Sequence, residues 1–183
     1  MQPIQRLEQW LLTSHSTRTG CVYSTASFRS LFPDLSPGAY RTLLHRAEKR
    51  GVLERVCQGV YQYAGAPDNS GLILFHAAAL LRARHFNYIG LETVLSEAGL
   101  ISQIPMAWIT LVSTGRSATV NCGRFGTIEF VHTERAMSQI IGELSYDSAR
   151  HLYRASPELA LADMRRFNRS TIDMILGSDD GTI

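Results

Sequence analysis

The sequence predicts an α+β fold of two domains, and three observations lead to this expectation. Helix-like and strand-like apolar patterns run along a chain of 183 residues, of which 45% are hydrophobic, enough to bury one or two cores. Residues 64–71 are the stretch densest in turn formers, which is typical of a domain boundary. The small net charge of +2 hides an excess of Lys and Arg before that boundary.

The first domain begins with two amphipathic segments. Apolar residues recur at helical spacing in residues 3–14 and predict a first helix. Residues 21–23 are β-prone and predict a short strand. Thr25 can cap a second helix, which we expect to end at Pro33 because proline breaks the helical hydrogen-bond pattern.

The clearest helix start of the chain is Ser36 followed by Pro37. Serine is a favoured N-cap, and proline at the first helical position loses no hydrogen bond. Gly51 suits the left-handed residue that ends a helix, so we predict a helix over 37–50. Its expected core-facing residues are Tyr40, Leu43, Leu44 and Ala47.

A hairpin follows this helix. Residues 52–56 and 60–63 are β-prone, and the three residues between them include Gly59. Three helices followed by a glycine-turned hairpin form the pattern of a winged helix-turn-helix, which we predict for residues 1–64.

The second domain is expected over residues 71–176, with a flexible tail over 177–183. Alanine-rich apolar runs predict buried helices, and three β-prone runs predict an antiparallel sheet in a mixed α/β domain. A second Ser-Pro pair predicts another capped helix. The predicted helices are 72–85, 91–98, 157–167 and 170–176, and the predicted strands of the meander are 107–112, 118–122 and 127–131.

The outer face of helix 37–50 has the chemistry of a DNA-reading surface. With the apolar stripe inward, Thr42, His45 and Lys49 lie at the centre of the opposite face. Such a face fits the major groove, where Arg and Lys donate to guanine and Thr contacts base edges. Hairpin residues could contact DNA phosphates and so fix the position of the protein along the duplex. The candidate DNA-binding residues are Ser36, Tyr40, Arg41, Thr42, His45, Arg46, Lys49, Arg50, Arg55 and Gln58.

The alternative interpretation is that these residues are ordinary solvated charges, because exposed helix faces are commonly basic. The capped helix, the basic face and the hairpin occur together in the order that a winged helix requires, which favours double-stranded DNA as the partner. Modules of this kind often bind inverted repeats as dimers, so a dimer on DNA is one expectation.

The sequence shows no sign of an active site, a metal site or a cofactor. The three cysteines are far apart, and His132-Thr133-Glu134 lacks further ligands at metal-binding spacing. The glycines near Arg116 and Arg124, Gly115 in one case and Gly123 with Gly126 in the other, lack the spacing of phosphate-binding loops. No apolar run reaches the roughly 18 residues that span a bilayer, and the start lacks a secretory signal. We therefore expect a cytoplasmic protein that is not an enzyme and has no membrane partner.

The second domain resembles the AbiEi family of type IV antitoxins. The resemblance lies in residues 88–105, 109–117, 126–133 and 155–163. It implies an antitoxin that represses its own toxin-antitoxin operon through the first domain and counteracts a cognate nucleotidyltransferase-type toxin through the second. Residues 27–33 are less polar than the second helix that is common in the family. This departure concerns which DNA sequence the first domain reads more than whether it binds DNA.

Several arginines of the second domain are candidates for partner contacts. These are Arg116, Arg124, Arg165 and Arg166, the last two in a basic cluster with Arg169. A solvated helix end would explain that cluster equally well. Two other functions stay open at this point: a winged-helix transcriptional regulator whose second domain senses a ligand or dimerises, and an enzyme with a DNA-targeting module. Whether the toxin is contacted directly is also open.

Overall fold

The computed structural model describes residues 2–15, 22–67, 69–101 and 107–170 of an α+β chain. The chain divides into two compact units, Met1–Leu81 (unit 1) and Arg82–Ile183 (unit 2). The division lies after Leu81 and not within residues 64–71, where the turn-forming composition placed it.

The described residues of unit 1 form four helical segments. They are α1 (Pro3–His15), a 3₁₀ helix (Thr25–Leu31), α2 (Pro37–Lys49) and α3 (Ile73–Leu81). The predicted second helix is thus a 3₁₀ helix, and its cap is Ser24 and not Thr25: the Ser24 side chain accepts from the Ser27 backbone, and the Ser27 side chain accepts from the Ser24 backbone.

The helix α3 corrects the domain assignment. It is shorter than the predicted 72–85 helix and packs against two strands of unit 1, β1 (Val22–Ser24) and β3 (Val60–Tyr63). Its residues from Ile73 to Ala78 are all buried. A helix that is apolar on every side needs partners on several sides, so the sequence alone did not indicate which domain it would join.

The sheet of unit 1 has three antiparallel strands in the order β1-β3-β2, where β2 is Leu53–Cys57. The strands β2 and β3 form the predicted hairpin, with an irregular register between Arg55 and Cys57. Gly59 in the turn has φ of 79°, a conformation that glycine adopts without strain.

The core of unit 1 lies between the helices and this sheet. Leu7 and Leu11 of α1 are fully buried, as is Ala47 of α2. An aromatic cluster of Trp10, Tyr23 and Phe28 continues this core, with ring centroids 5.3 to 5.7 Å apart. The helix α2 packs with its apolar stripe on this core, so its other side faces away from the core.

Unit 2 is built on a six-stranded mixed sheet in the order β6-β7-β5-β4-β9-β8. Two helices accompany the sheet and contact each other, α4 (Leu91–Glu97) and α5 (Pro157–Arg166). Three short 3₁₀ helices are Gly123–Phe125, Met137–Gln139 and Ile141–Glu143. The strands are β4 (Asn87–Ile89), β5 (Trp108–Ser113), β6 (Ala118–Asn121), β7 (Thr127–His132), β8 (Leu144–Asp147) and β9 (Leu152–Ala155).

The predicted antiparallel meander is wrong in order and in direction. The strand β7 lies between β5 and β6, and β5 pairs with β7 in parallel. The strands β4 and β9 are also parallel. A continuous buried run, as in Ile109 to Ser113 of β5, is typical of a central strand covered on both faces. The strands β4, β8 and β9 were not predicted.

The predicted helix 170–176 and the tail 177–183 lie outside the described residues, apart from Ser170. Within the described ranges, no helix is long and apolar enough to cross a membrane.

Candidate nucleic-acid interface

The orientation of α2 is set by its cap and its apolar stripe. The Ser36 Oγ accepts a hydrogen bond from the Ala39 backbone N–H at 3.3 Å, and Pro37 opens the first turn. Four residues at helical spacing are buried and fix the rotation of the helix. They are Tyr40, Leu43, Leu44 and Ala47.

The opposite side of α2 is exposed and basic. All six predicted reading residues on this side are in the exposed class. In the part of the chain that the structure describes, no ion pair or side-chain hydrogen bond involves the four Arg and Lys of this face. Their donors are therefore directed neither to the core nor to an internal acid. The outer face, as we call it, comprises Arg41, Thr42, His45, Arg46, Lys49 and Arg50.

Three members of the outer face also line a cleft. Arg46 and Arg50, together with Thr42, border a cavity of about 320 Å³ that reaches the start of α1 at Gln2 and Pro3. The Thr42 hydroxyl donates to the Gly38 carbonyl at 3.0 Å, so its oxygen keeps only acceptor capacity for a ligand.

Tyr40 is the predicted DNA-binding residue that the structure places in the core. Its side chain is 7% exposed, and its hydroxyl donates to the Thr25 carbonyl at 2.5 Å. Burial raises the pKa of this hydroxyl above its usual value. The Arg29 guanidinium lies 5.0 Å from the ring centroid. Tyr40 thus anchors α2 to the preceding 3₁₀ helix and is not free to contact a base.

The hairpin places one basic and one amide side chain beside α2. Arg55 of β2 forms an ion pair with Glu48 of α2 at 2.8 Å, and its guanidinium lies 5.7 Å from the Tyr61 ring centroid. The Glu48 carboxylate raises the pKa of Arg55. Arg55 is 47% exposed, and Gln58 in the turn is exposed. The ion pair between Glu48 and Arg55 was not predicted from the sequence, and it neutralises part of the hairpin's positive charge.

A second cleft, of about 540 Å³, separates α2 from the hairpin. It is bordered by Arg41 and His45 of α2 and by Arg55 and Gln58 of the hairpin. Two outer-face residues and both hairpin residues are therefore brought together on one side of unit 1, whereas Thr42, Arg46 and Arg50 border the other cleft. Arg29, which also borders the cleft, was not predicted; it donates to the Phe32 and Leu35 carbonyls.

The candidate arginines of unit 2 divide into two kinds. Arg116, Arg124, Arg165 and Arg166 are exposed, as a partner-facing role requires. Arg124 lies over the Phe125 ring at 4.2 Å. Arg169 differs, because it donates to Glu92 at 2.6 Å and to both carboxylate oxygens of Glu129 at 2.7 and 2.8 Å.

No cluster of three or more His, Cys, Asp or Glu suited to a metal ion occurs among the described residues. The His132 Nδ1 donates to the Gly115 carbonyl at 2.9 Å, which gives this histidine a structural contact.

Comparison with known proteins adds no family assignment. No protein-family model matches the chain, and no curated protein matches it.

Proposed function

We propose that the protein is a DNA-binding regulator in which unit 1 is a winged helix-turn-helix. In this proposal the 3₁₀ helix and α2 form the helix-turn-helix, α2 is the recognition helix, and the β2–β3 hairpin is the wing. The observation that carries the proposal is the outer face, where four Arg or Lys side chains are exposed and make no internal ion pair in the described structure.

The order of elements in unit 1 supports this assignment. The chain of unit 1 runs helix, strand, helix, helix, strand, strand, helix, and β1 pairs with the far strand of the hairpin. That arrangement joins the hairpin to the helical part of the unit through one sheet. A hairpin held in this way can contact DNA beside the groove that receives the recognition helix.

The chemistry of the outer face suits the major groove of a duplex. Arg41, Arg46 and Lys49 can donate to guanine O6 and N7 or to phosphates, and His45 adds a further donor or acceptor. Arg55 and Gln58 would contact the backbone next to the groove. Two copies on an inverted repeat of the protein's own promoter would give the operator two half-sites.

The resemblance to AbiEi antitoxins extends the proposal to unit 2. On that basis the protein acts in the cytoplasm, represses its own toxin-antitoxin operon, and counteracts a cognate nucleotidyltransferase-type toxin through unit 2. The exposed residues Arg116, Arg124, Arg165 and Arg166 are the proposed contacts to that partner.

DNA binding is tested with the variant R41A/R46A/K49A and a labelled duplex of the protein's own promoter. We expect the affinity to fall at least tenfold, because base and phosphate contacts are lost together. The slope of log K against log salt should lose about 0.9 per phosphate contact removed. The variant R165A/R166A, also exposed and basic, is the control and should bind like the parent. Equal affinity of the triple variant and the parent in the anisotropy salt series would contradict the proposal.

The antitoxin role is tested by inducing the neighbouring toxin gene with each variant. R41A/R46A/K49A should lose repression of a promoter reporter and still restore growth, because its changes lie outside unit 2. Loss of rescue with repression intact would reverse the assigned roles of the two units. Absence of any rescue by the parent protein would leave a regulator without antitoxin activity.

A further inference from the structure

A row of aromatic rings crosses one side of the unit 2 sheet. Tyr88 pairs in register with Tyr153, and Tyr153 pairs with Tyr146, so the three side chains lie on one face. Phe86, two residues before Tyr88, extends the row. Successive centroids are 6.1 Å (Phe86–Tyr88), 5.5 Å (Phe86–Tyr153) and 5.4 Å (Tyr146–Tyr153) apart.

The row changes from buried to exposed along its length. Tyr88 is 1% exposed, Phe86 and Tyr153 are half-buried, and Tyr146 on the edge strand β8 is 57% exposed. Tyr146 and Tyr153 meet edge to face, with an angle of 67° between the ring planes. Such a contact uses only one ring face of the pair, so flat ring surface stays available for stacking.

A group of basic side chains surrounds the turn that follows β5. The Arg82 guanidinium donates to the Arg116 carbonyl at 2.7 Å, and His132 donates to the Gly115 carbonyl. A side chain at Gly115 would collide with Arg82 and press on the His85 ring. Arg84 lies in the same loop as Arg82 and His85. We call this group the loop cluster; it comprises Arg82, Arg84, His85, Arg116 and His132.

The loop cluster is held in place without acidic partners. The Asn87 amide donates to the Arg82 and His85 carbonyls at 2.9 and 2.8 Å, and Phe86 and Thr114 exchange hydrogen bonds. Four of its five members are exposed, and Arg82 is half-buried. Across the described residues, the ion pairs of unit 2 belong to other arginines. Those paired arginines are Arg135, Arg150, Arg154 and Arg169.

The two features are continuous in the molecule. His85 of the loop cluster is followed directly by Phe86 of the aromatic row, and the Phe86 backbone is bonded to Thr114 beside Gly115. The nearest acidic residue in sequence to the cluster is Glu134, which is exposed and forms no ion pair with any described residue. Positive charge therefore adjoins the half-buried Phe86, from which the row continues through Tyr153 to the exposed Tyr146.

We propose that unit 2 binds single-stranded nucleic acid on this surface. The bases stack on Tyr146 and on the half-buried rings beside it, and the phosphates contact the loop cluster. Aromatic rings beside unpaired cations are the combination that single-strand binding requires, because every base has a flat face and every linkage a negative charge. A duplex keeps its bases stacked on each other and cannot use the rings. This activity is separate from the duplex binding proposed for unit 1.

The test measures binding of the full chain to labelled twelve-residue oligonucleotides, dT12 and rU12, by anisotropy. Tyr146→Ala should weaken binding at least about fivefold, because one stacked base is lost, whereas Tyr146→Phe should keep the parent affinity. R84A/R116A should weaken binding and lower the salt slope by about 0.7 per phosphate contact removed. Leu100→Ala, which also truncates an exposed apolar side chain of unit 2, is the control and should have no effect.

The same series separates this proposal from the one for unit 1. R41A/R46A/K49A should lose duplex binding and keep dT12 and rU12 binding. Equal affinity of Tyr146→Ala and the parent for both oligonucleotides would overturn the proposal, as would failure of the parent to bind either one at 0.1 M salt. A loss for R84A/R116A confined to duplex DNA would also overturn it, because the cluster would then belong to a duplex-binding surface. A preference between dT12 and rU12 identifies DNA or RNA as the ligand.

Discussion

The arginines on the outer face of unit 1 differ in role from the arginines that meet the buried acids of unit 2. On the outer face of α2, Arg41 and Arg46 are exposed and make no ion pair with any described residue. In unit 2, Arg135 and Arg169 donate to acids that are almost completely buried, Asp163 and Glu92. An arginine that donates to a buried carboxylate is therefore structural, because a buried negative charge needs a cation beside it.

Asp163 shows how many donors a buried carboxylate of unit 2 needs. Asp163 is 0% exposed and accepts from the Tyr88 hydroxyl at 2.6 Å and from Arg135 at 3.0 Å. Burial raises the pKa of Asp163, and burial together with the Asp163 hydrogen bond raises that of Tyr88. Loss of either donor would leave a buried carboxylate less well satisfied.

The largest expected effect in this comparison is on folding stability. Arg169→Ala should lower the free energy of unfolding by about 3 kcal/mol, because it removes the cation that bridges Glu92 and Glu129. Arg46→Ala, the matched change on the outer face, should alter it by less than about 0.5 kcal/mol. Urea denaturation of both variants measures the difference. Similar losses for the two variants would remove the distinction between paired and unpaired arginines.

A smaller effect is expected from acid. Hydrogen bonds from Arg169 lower the pKa of Glu129 below its usual value of 4.5. A lowered pKa means that the stabilisation is complete above 4.5 and is lost as the pH falls through the folded-state pKa. Urea denaturation between pH 7 and pH 3 should show a loss of stability that depends on this carboxylate and that is reduced by its partial exposure. Glu129→Gln should remove that part of the pH dependence; an unchanged profile would contradict the assignment.

The smallest expected effect is on DNA affinity. Glu48→Gln removes the acid that holds Arg55 at 2.8 Å, which frees a cation beside the proposed groove. The affinity for promoter duplex should rise about two- to fivefold, in keeping with an exposed pair worth less than about 1 kcal/mol. Glu158→Gln, the same charge change on α5, should leave the affinity unchanged. A fall in affinity for Glu48→Gln would mean that the pair positions Arg55 for binding.

Local signals explain why most of unit 1 was predictable. The Ser36-Pro37 start and the apolar stripe of α2 predicted both its bounds and its buried face, because caps and 3.6-residue periodicity act within one helix. The hairpin followed from β-prone runs on both sides of Gly59. Tyr40 was the exception at the site: its spacing indicated burial, and its hydroxyl bonds to a residue 15 positions away.

Unit 2 was less predictable because its structure depends on distant partners. The strand β4 pairs with β9 across more than 60 residues, and no local pattern indicates such a pairing. Arg169 was grouped with its basic neighbours because its two acceptors lie 77 and 40 residues away. The apolar helix α3 was assigned to the wrong domain for a similar reason: its composition indicated burial without indicating the partner.

The parallel pair of β4 and β9 also affects how the chain folds during synthesis. Residues 87–113 can form the antiparallel β4–β5 pair early, but the other edge of β4 has no partner until residue 155 has left the ribosome. At about 5 to 20 residues per second, that edge stays uncovered for seconds. Unpaired strand edges invite association with other chains, so the interval before β9 arrives is when nascent unit 2 is most prone to aggregate or to recruit a chaperone.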